Sequence, residues 1–204
     1  MSKTLLVVGL GNPGEEYAYT RHNVGFRVVD YWWQKAANSK PDTVSPFTFQ
    51  KKHQALLATV RQSTKKILIA KPQTFMNNSG LSVKLLVDYY QLALDDLLII
   101  HDDLSFSVGD FKINCCRGAA GHNGVRSLIE HLGSQDFCRL RVGIKPVKSF
   151  PDSLTQPLRE MVLGKFSLAE EKILEETFSQ LARVIDFWAQ TNSCNLLQNK
   201  FNRK

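Results

Sequence analysis

The chain has 204 residues, 43% apolar and 22% charged, with a formal net charge of +7. That length fits one domain spanning residues 1–204 and permits a core that needs neither disulfides nor structural metal. The opening MSKTLLVVGL is too short an apolar run for a secretory signal, and no run of 18 apolar residues exists, so neither export nor a membrane span is expected.

Leu5–Leu10 reads as a buried strand stopped by glycine and proline, and Asn12–Tyr19 as a loop. Thr20 is placed to cap a helix to about Lys35, with Val24, Val28 and Trp32 on one face. Residues 38–52, rich in Ser, Pro and Lys, read as loop. Gln54–Arg61 and Lys66–Pro72 read as paired strands joined near Ser63-Thr64. A helix is expected from about Ser79 to Leu92, a buried strand over Leu97–His101, and a short strand over Asp110–Asn114. Gly121–Gly124 (GHNG) opens a helix that ends at Gly133, a plausible C-cap. Arg139–Ile144 is a further strand, and Arg139 and Arg141, two apart, point to the same side. After a Pro-marked loop, Ser167-x-x-Glu170 forms a capping box for the last helix, followed by a short basic tail at about 199–204. Alternating strands and helices indicate an α/β fold: a single-domain mixed central sheet with helices on both faces.

Charge is uneven. Residues 167–190 hold two basic and five acidic side chains, a balance of −3, which leaves +10 for the rest. A basic surface fits a polyanionic partner such as nucleic acid, although many basic proteins bind none. Cys115, Cys116, Cys138 and Cys194 form no CxxC pair and no zinc-like spacing. The neighbours Cys115 and Cys116 read as free thiols of a reducing cytosol.

Gly9-Leu10-Gly11-Asn12-Pro13-Gly14 matches the dinucleotide-binding pattern G-x-G-x-x-G. Pro13 removes an N–H that would face a phosphate, Glu15 and Glu16 would set negative charge beside it, and the helix starts near Thr20 rather than after the glycines. The match is therefore set aside.

Ligands of open α/β sheets bind outside the carboxyl ends of the strands. Those ends carry Asn12; Thr74, Met76 and Asn77; Asp102 and Asp103; and His122 and Asn123, with His22 in the first turn of the first helix. Such a set suits addition of water to a carbonyl. Neutral His22 would accept the proton, a carboxylate such as Asp102 would fix its tautomer, and Asn amides would donate to the oxyanion. The bland alternatives are a histidine covering a helix end, solvated loop carboxylates, and a capping turn at Asn77-Asn78-Ser79.

Together, GLGNPGEEYAYTRHNVG (Gly9–Gly25), KPQTFMNNSG (Lys71–Gly80), HDDL (His101–Leu104) and GHNG, in this order, resemble bacterial peptidyl-tRNA hydrolase over nearly the whole chain. The resemblance implies metal-free, cofactor-free hydrolysis in the cytoplasm of the ester joining peptide to tRNA, by a monomer without an obligate protein partner. By motif position, His22 would be the base and Asp102 its partner. Asn12 and Asn77 would position the substrate carbonyl and peptide backbone, and Asn123 the water or the tRNA end. Tyr17, Met76 and His122 would line the cleft. Arg141 matches a phosphate-contacting position. The family's other basic position falls on Asn114, for which Lys112 or Arg117 would substitute, in a stretch that is less glycine-rich than the family's. Two rival readings are a metal-dependent hydrolase using His101, Asp102, Asp103 and His122, and a non-catalytic tRNA-binding module.

Overall fold

The computed structural model describes residues 3–62, 64–146 and 158–202. Its centre is β1 (Lys3–Gly9), an apolar run because both of its faces are covered. The other strands are β2 (Thr48–Gln50), β3 (Ala55–Gln62), β4 (Lys65–Pro72), β5 (Leu97–Ser107), β6 (Phe111–Asn114) and β7 (Cys138–Lys145). They form one seven-stranded sheet in the order β2-β3-β4-β1-β5-β7-β6. The four strands from β4 to β7 in this order run parallel, and β2-β3, β3-β4 and β7-β6 are antiparallel pairs. The sheet is mixed and has helices on both faces, as the alternation of elements predicts.

Period-two alternation divides the core in two. Leu5, Val7, Ile67, Ile69, Leu98 and Ile100 face α1 (Val24–Ser39) and α5 (Leu168–Thr191). Leu6, Val8, Leu68, Ala70, Leu97 and Ile99 face α2 (Ser79–Tyr90) and α3 (Asn123–Leu132). Burying each large aliphatic side chain contributes about 1.5–3 kcal/mol. The remaining helices are α4 (Leu158–Leu163) and α6 (Cys194–Phe201).

Several expectations are corrected. Thr20 does not cap through its side chain. Its hydroxyl donates to the Tyr17 carbonyl, a 3₁₀ turn occupies Arg21–Asn23, and α1 begins only at Val24. Residues 38–52 contain β2, which pairs with β3. β5 continues through Asp102 and Asp103 to Ser107, with its register against β7 shifting after Asp103. The capping box at Ser167 and Glu170 is present, but α5 is not the last helix: α6 follows and takes up residues 199–201 of the expected tail. Ser63 of the expected turn, most of the Pro-marked loop, and residues 203–204 lie outside the described residues.

The glycines of the first motif serve close packing. A methyl group on Gly9 would overlap the Gly25 carbonyl, and one on Gly25 would lie 2.5 Å from the Ile100 carbonyl oxygen. The start of α1 therefore presses directly onto the carboxyl ends of β1 and β5, and this brings His22 over Asp102.

Candidate active site

A cleft of about 760 Å³ opens at the carboxyl ends of β1, β4 and β5. Asn12, Tyr17, His22, Met76, Asn77, Asp102, His122 and Asn123 all line it, so the eight residues expected at the chemistry are brought together.

Asn12 is held on three sides. Its backbone N–H donates to Asn23 Oδ1 (2.8 Å), and its carbonyl accepts from Asn23 Nδ2 (2.9 Å). Its own Oδ1 accepts from the Met76 backbone N–H at 2.8 Å. That network assigns the amide orientation and leaves Nδ2 as the donor for the cleft. Asn23, which sequence reasoning did not single out, is thus the support of Asn12, and its signal was its place in the RHNVG motif.

Asp102 is 3% exposed, and its Oδ1 meets two imidazoles: His22 Nδ1 and His122 Nε2, each at 2.8 Å. His122 is also the N-cap of α3, where its Nδ1 accepts from Val125 N–H at 3.2 Å. An Nδ1 that accepts leaves the proton of a neutral ring on Nε2, so His122 donates to Asp102. A neutral His22 likewise donates from Nδ1, and its Nε2 lone pair is then available. Burial by itself would raise the Asp102 pKa, but the two histidines outweigh it and hold the carboxyl well below the usual carboxylate range. Asp102 is therefore ionised at neutral pH.

His101 backs this group. It is 3% exposed, and its ring meets that of His122 edge-on at 4.7 Å between centroids. Its Nδ1 bonds the Asp102 carbonyl oxygen at 2.7 Å. Burial, and then the charge of His122, push its pKa down to about 3. The metal-ligand set considered from sequence is not assembled. His101 Nδ1 is taken by that carbonyl, and Asp103 accepts from Arg141 Nε at 2.6 Å. A different trio, His22, Asp102 and His122, brings its ligand atoms within 4.8 Å of one another.

The three basic candidates sit apart from the cleft lining. Arg141 is held by Asp103 and by Asn114 Oδ1, which accepts from Nη1 at 3.0 Å. Lys112 is exposed and lies opposite Arg141 in the β6-β7 register, on the same face of the sheet. Arg117 is exposed on the loop before α3. Arg139 shares the face of Arg141 but is buried, and its guanidinium donates to the carbonyls of Gly118, Arg117 and Gln135. It clasps the loop that leads to His122. Asn114, where the resemblance places a basic residue, is 7% exposed and bound to Arg141.

Cleft residues missed from sequence include Phe75, Ser105 and Arg159. Phe75 is held at φ 56° and is 52% exposed, its ring edge-on to Tyr17 at 6.3 Å. An exposed aromatic on a left-handed backbone is invisible to hydrophobic patterning, although it stands inside the FMNNSG motif.

The sequence model of the family described as peptidyl-tRNA hydrolase matches residues 6–204. The chain belongs to the peptidyl-tRNA hydrolase family. It is an enzyme that hydrolyses peptidyl-tRNA. It is 36% identical over 198 residues to a peptidyl-tRNA hydrolase of Mycoplasma capricolum subsp. capricolum, covering 97% of this chain and 99% of that protein. The crystal structure of peptidyl-tRNA hydrolase from Acinetobacter baumannii superposes with a TM-score of 0.80 at 30% identity, over 98% of this chain and 94% of that one. A peptidyl-tRNA hydrolase crystallised with N-propanol matches with the same score, identity and coverage.

Proposed function

We propose that His22 is the general base of ester hydrolysis, oriented by Asp102, with Asn12 as the main donor to the oxyanion. The observation that carries this reading is that both imidazoles spend one nitrogen on Asp102 Oδ1, and only His22 then has its second nitrogen uncommitted to the backbone. Its Nε2 removes a proton from water as the oxygen adds to the ester carbonyl. Asp102 stabilises the imidazolium that forms, and that imidazolium returns the proton to the departing ribose oxygen. Asn12 Nδ2, fixed because Oδ1 is committed to Met76 N–H, donates to the carbonyl oxygen as its charge develops.

Asn77 and Asn123, both exposed at the cleft, hold the peptide backbone and the tRNA end. Tyr17, Met76 and His122 shape the wall. Arg141 and Lys112, side by side on β7 and β6, contact tRNA phosphate, with Arg117 on the adjoining loop. The enzyme works as a cytoplasmic monomer and requires no metal for turnover. No helix among the described residues is long and apolar enough to cross a membrane.

The decisive experiment is release of free tRNA from an N-blocked aminoacyl-tRNA. His22→Ala is expected to fold and to lose roughly 10²–10⁴-fold in rate. A folded variant with near wild-type kcat/KM excludes His22 as the base.

A further inference from the structure

The trio around Asp102 has a second chemical capacity. Two imidazole nitrogens and one carboxylate oxygen converge within 4.8 Å, the carboxylate is 3% exposed, and all three residues line the cleft. This is the donor set of a tetrahedral site for a borderline divalent cation with one open position. Each nitrogen stands 2.8 Å from the shared oxygen, so a cation seated among the three replaces both hydrogen bonds and moves the carboxylate oxygen back from the rings.

We propose that His22, Asp102 and His122 form an inhibitory site for zinc and similar borderline divalent ions. Magnesium prefers oxygen donors in an octahedron and is not held by this set.

The proton balance shows why occupancy stops turnover. A metal bound at His22 Nδ1 needs the lone pair there, so the proton of the neutral ring relocates to Nε2. His22 then presents an N–H to the cleft and is no longer a base. At His122 the metal takes Nε2, and the proton relocates to Nδ1, where it opposes the Val125 N–H and breaks the cap of α3. No proton leaves the protein in either shift. The lost cap weakens binding, which separates an inhibitory site from a resident structural one. The loss should appear in kcat, and equally for peptidyl-tRNA and for a minimal ester, because the base is removed rather than the tRNA contacts.

Metal binding follows from the geometry alone, whereas the loss of turnover rests on His22 being the base. The competing ligands are thiols: Cys115 and Cys194 have their sulfur atoms 2.6 Å apart. Zinc and cobalt titrations of the metal-stripped chain, followed by calorimetry and visible absorption, separate the possibilities. One ion per chain is expected, with tetrahedral cobalt bands and no sulfur-to-cobalt charge transfer. A variant with Cys115, Cys116 and Cys194 replaced by serine should bind and be inhibited like wild type. His122→Asn, which keeps a good helix cap, should weaken zinc binding by at least roughly tenfold while its thermal unfolding stays cooperative. Binding that disappears with the cysteines, or that is unchanged in His122→Asn, overturns the site. Binding that meets these expectations while hydrolysis persists keeps the metal site and overturns His22 as the base.

Discussion

At Asp102 a single carboxylate oxygen serves two imidazoles, so its replacement and that of His22 have different consequences. Asp102→Asn keeps an accepting oxygen and leaves the base present but less firmly oriented, and its rate should fall less than that of His22→Ala. An equal or larger fall in single-turnover hydrolysis would give Asp102 a more direct part in the chemistry. His101 makes a separate prediction for stability. Its pKa in the folded protein is about 3, below the 6.5 of the free side chain, with burial as the main cause. The unfolded chain therefore binds the additional proton first. The stability from neutral His101 is complete above pH 6.5 and declines as pH falls from there towards 3, by about 1.4 kcal/mol per pH unit. In urea unfolding between pH 7 and pH 5, wild type should lose more stability than His101→Gln. Parallel pH profiles would mean that His101 takes up its proton equally in both states.

At the scale of elements, the turn that carries His22 is anchored to α5. Arg21 Nη2 donates to Glu170 Oε2 at 2.8 Å, and Glu170 also accepts from Ser167 N–H in the capping box. Both side chains of the pair are buried. Burial alone would raise the Glu170 pKa, but Arg21 and the Ser167 groups lower it below its ordinary value. A depressed carboxyl stabilises the fold above its unfolded pKa, and this contribution is lost as pH falls through the lower, folded value. Glu170→Gln strands the Arg21 charge and should cost about 3 kcal/mol at neutral pH. That difference from wild type should shrink as the unfolding pH is lowered below about 4.5. A cost that is independent of pH would assign the effect to packing rather than charge.

For the whole molecule, the substrate is a polyanion and the chain outside residues 167–190 carries +10. Phosphate contacts release counterions, so each one removed should flatten the log–log salt dependence of tRNA binding by about 1. Lys112→Ala is the cleaner probe, because Arg141 also holds Asp103 and Asn114 and its loss disturbs both. Lys112→Ala and Arg141→Ala should raise KM for peptidyl-tRNA and scarcely change cleavage of a minimal aminoacyl ester. Equal effects on both substrates would move the tRNA surface elsewhere. Treatment with EDTA should leave hydrolysis unchanged or, where zinc was present, raise it. Activity lost to EDTA and restored by added metal would overturn metal-independent turnover.

Local chemistry in the sequence already determined much of this protein. β1, β4 and β5 each contain a continuous apolar run, α1, α2 and α5 have apolar stripes, and Ser167-x-x-Glu170 declares its own capping box, because these depend on neighbours within a few residues. The eight cleft residues were legible for a related reason: they stand at strand ends and within motifs of fixed spacing. Tertiary structure decided the rest. Nothing in the spacing states that one oxygen of Asp102 receives both His22 and His122, that Asn23 holds Asn12, or that buried Arg139 clasps the loop before α3 while Arg141 pairs with Asp103. These contacts join residues 11 to 80 positions apart, and the one between His22 and Asp102 depends on Gly9 and Gly25, which let two backbones meet over the sheet. Pairing across such separations is set by how the elements pack, and that information is carried by the sheet order and the helix contacts rather than by any local run of residues.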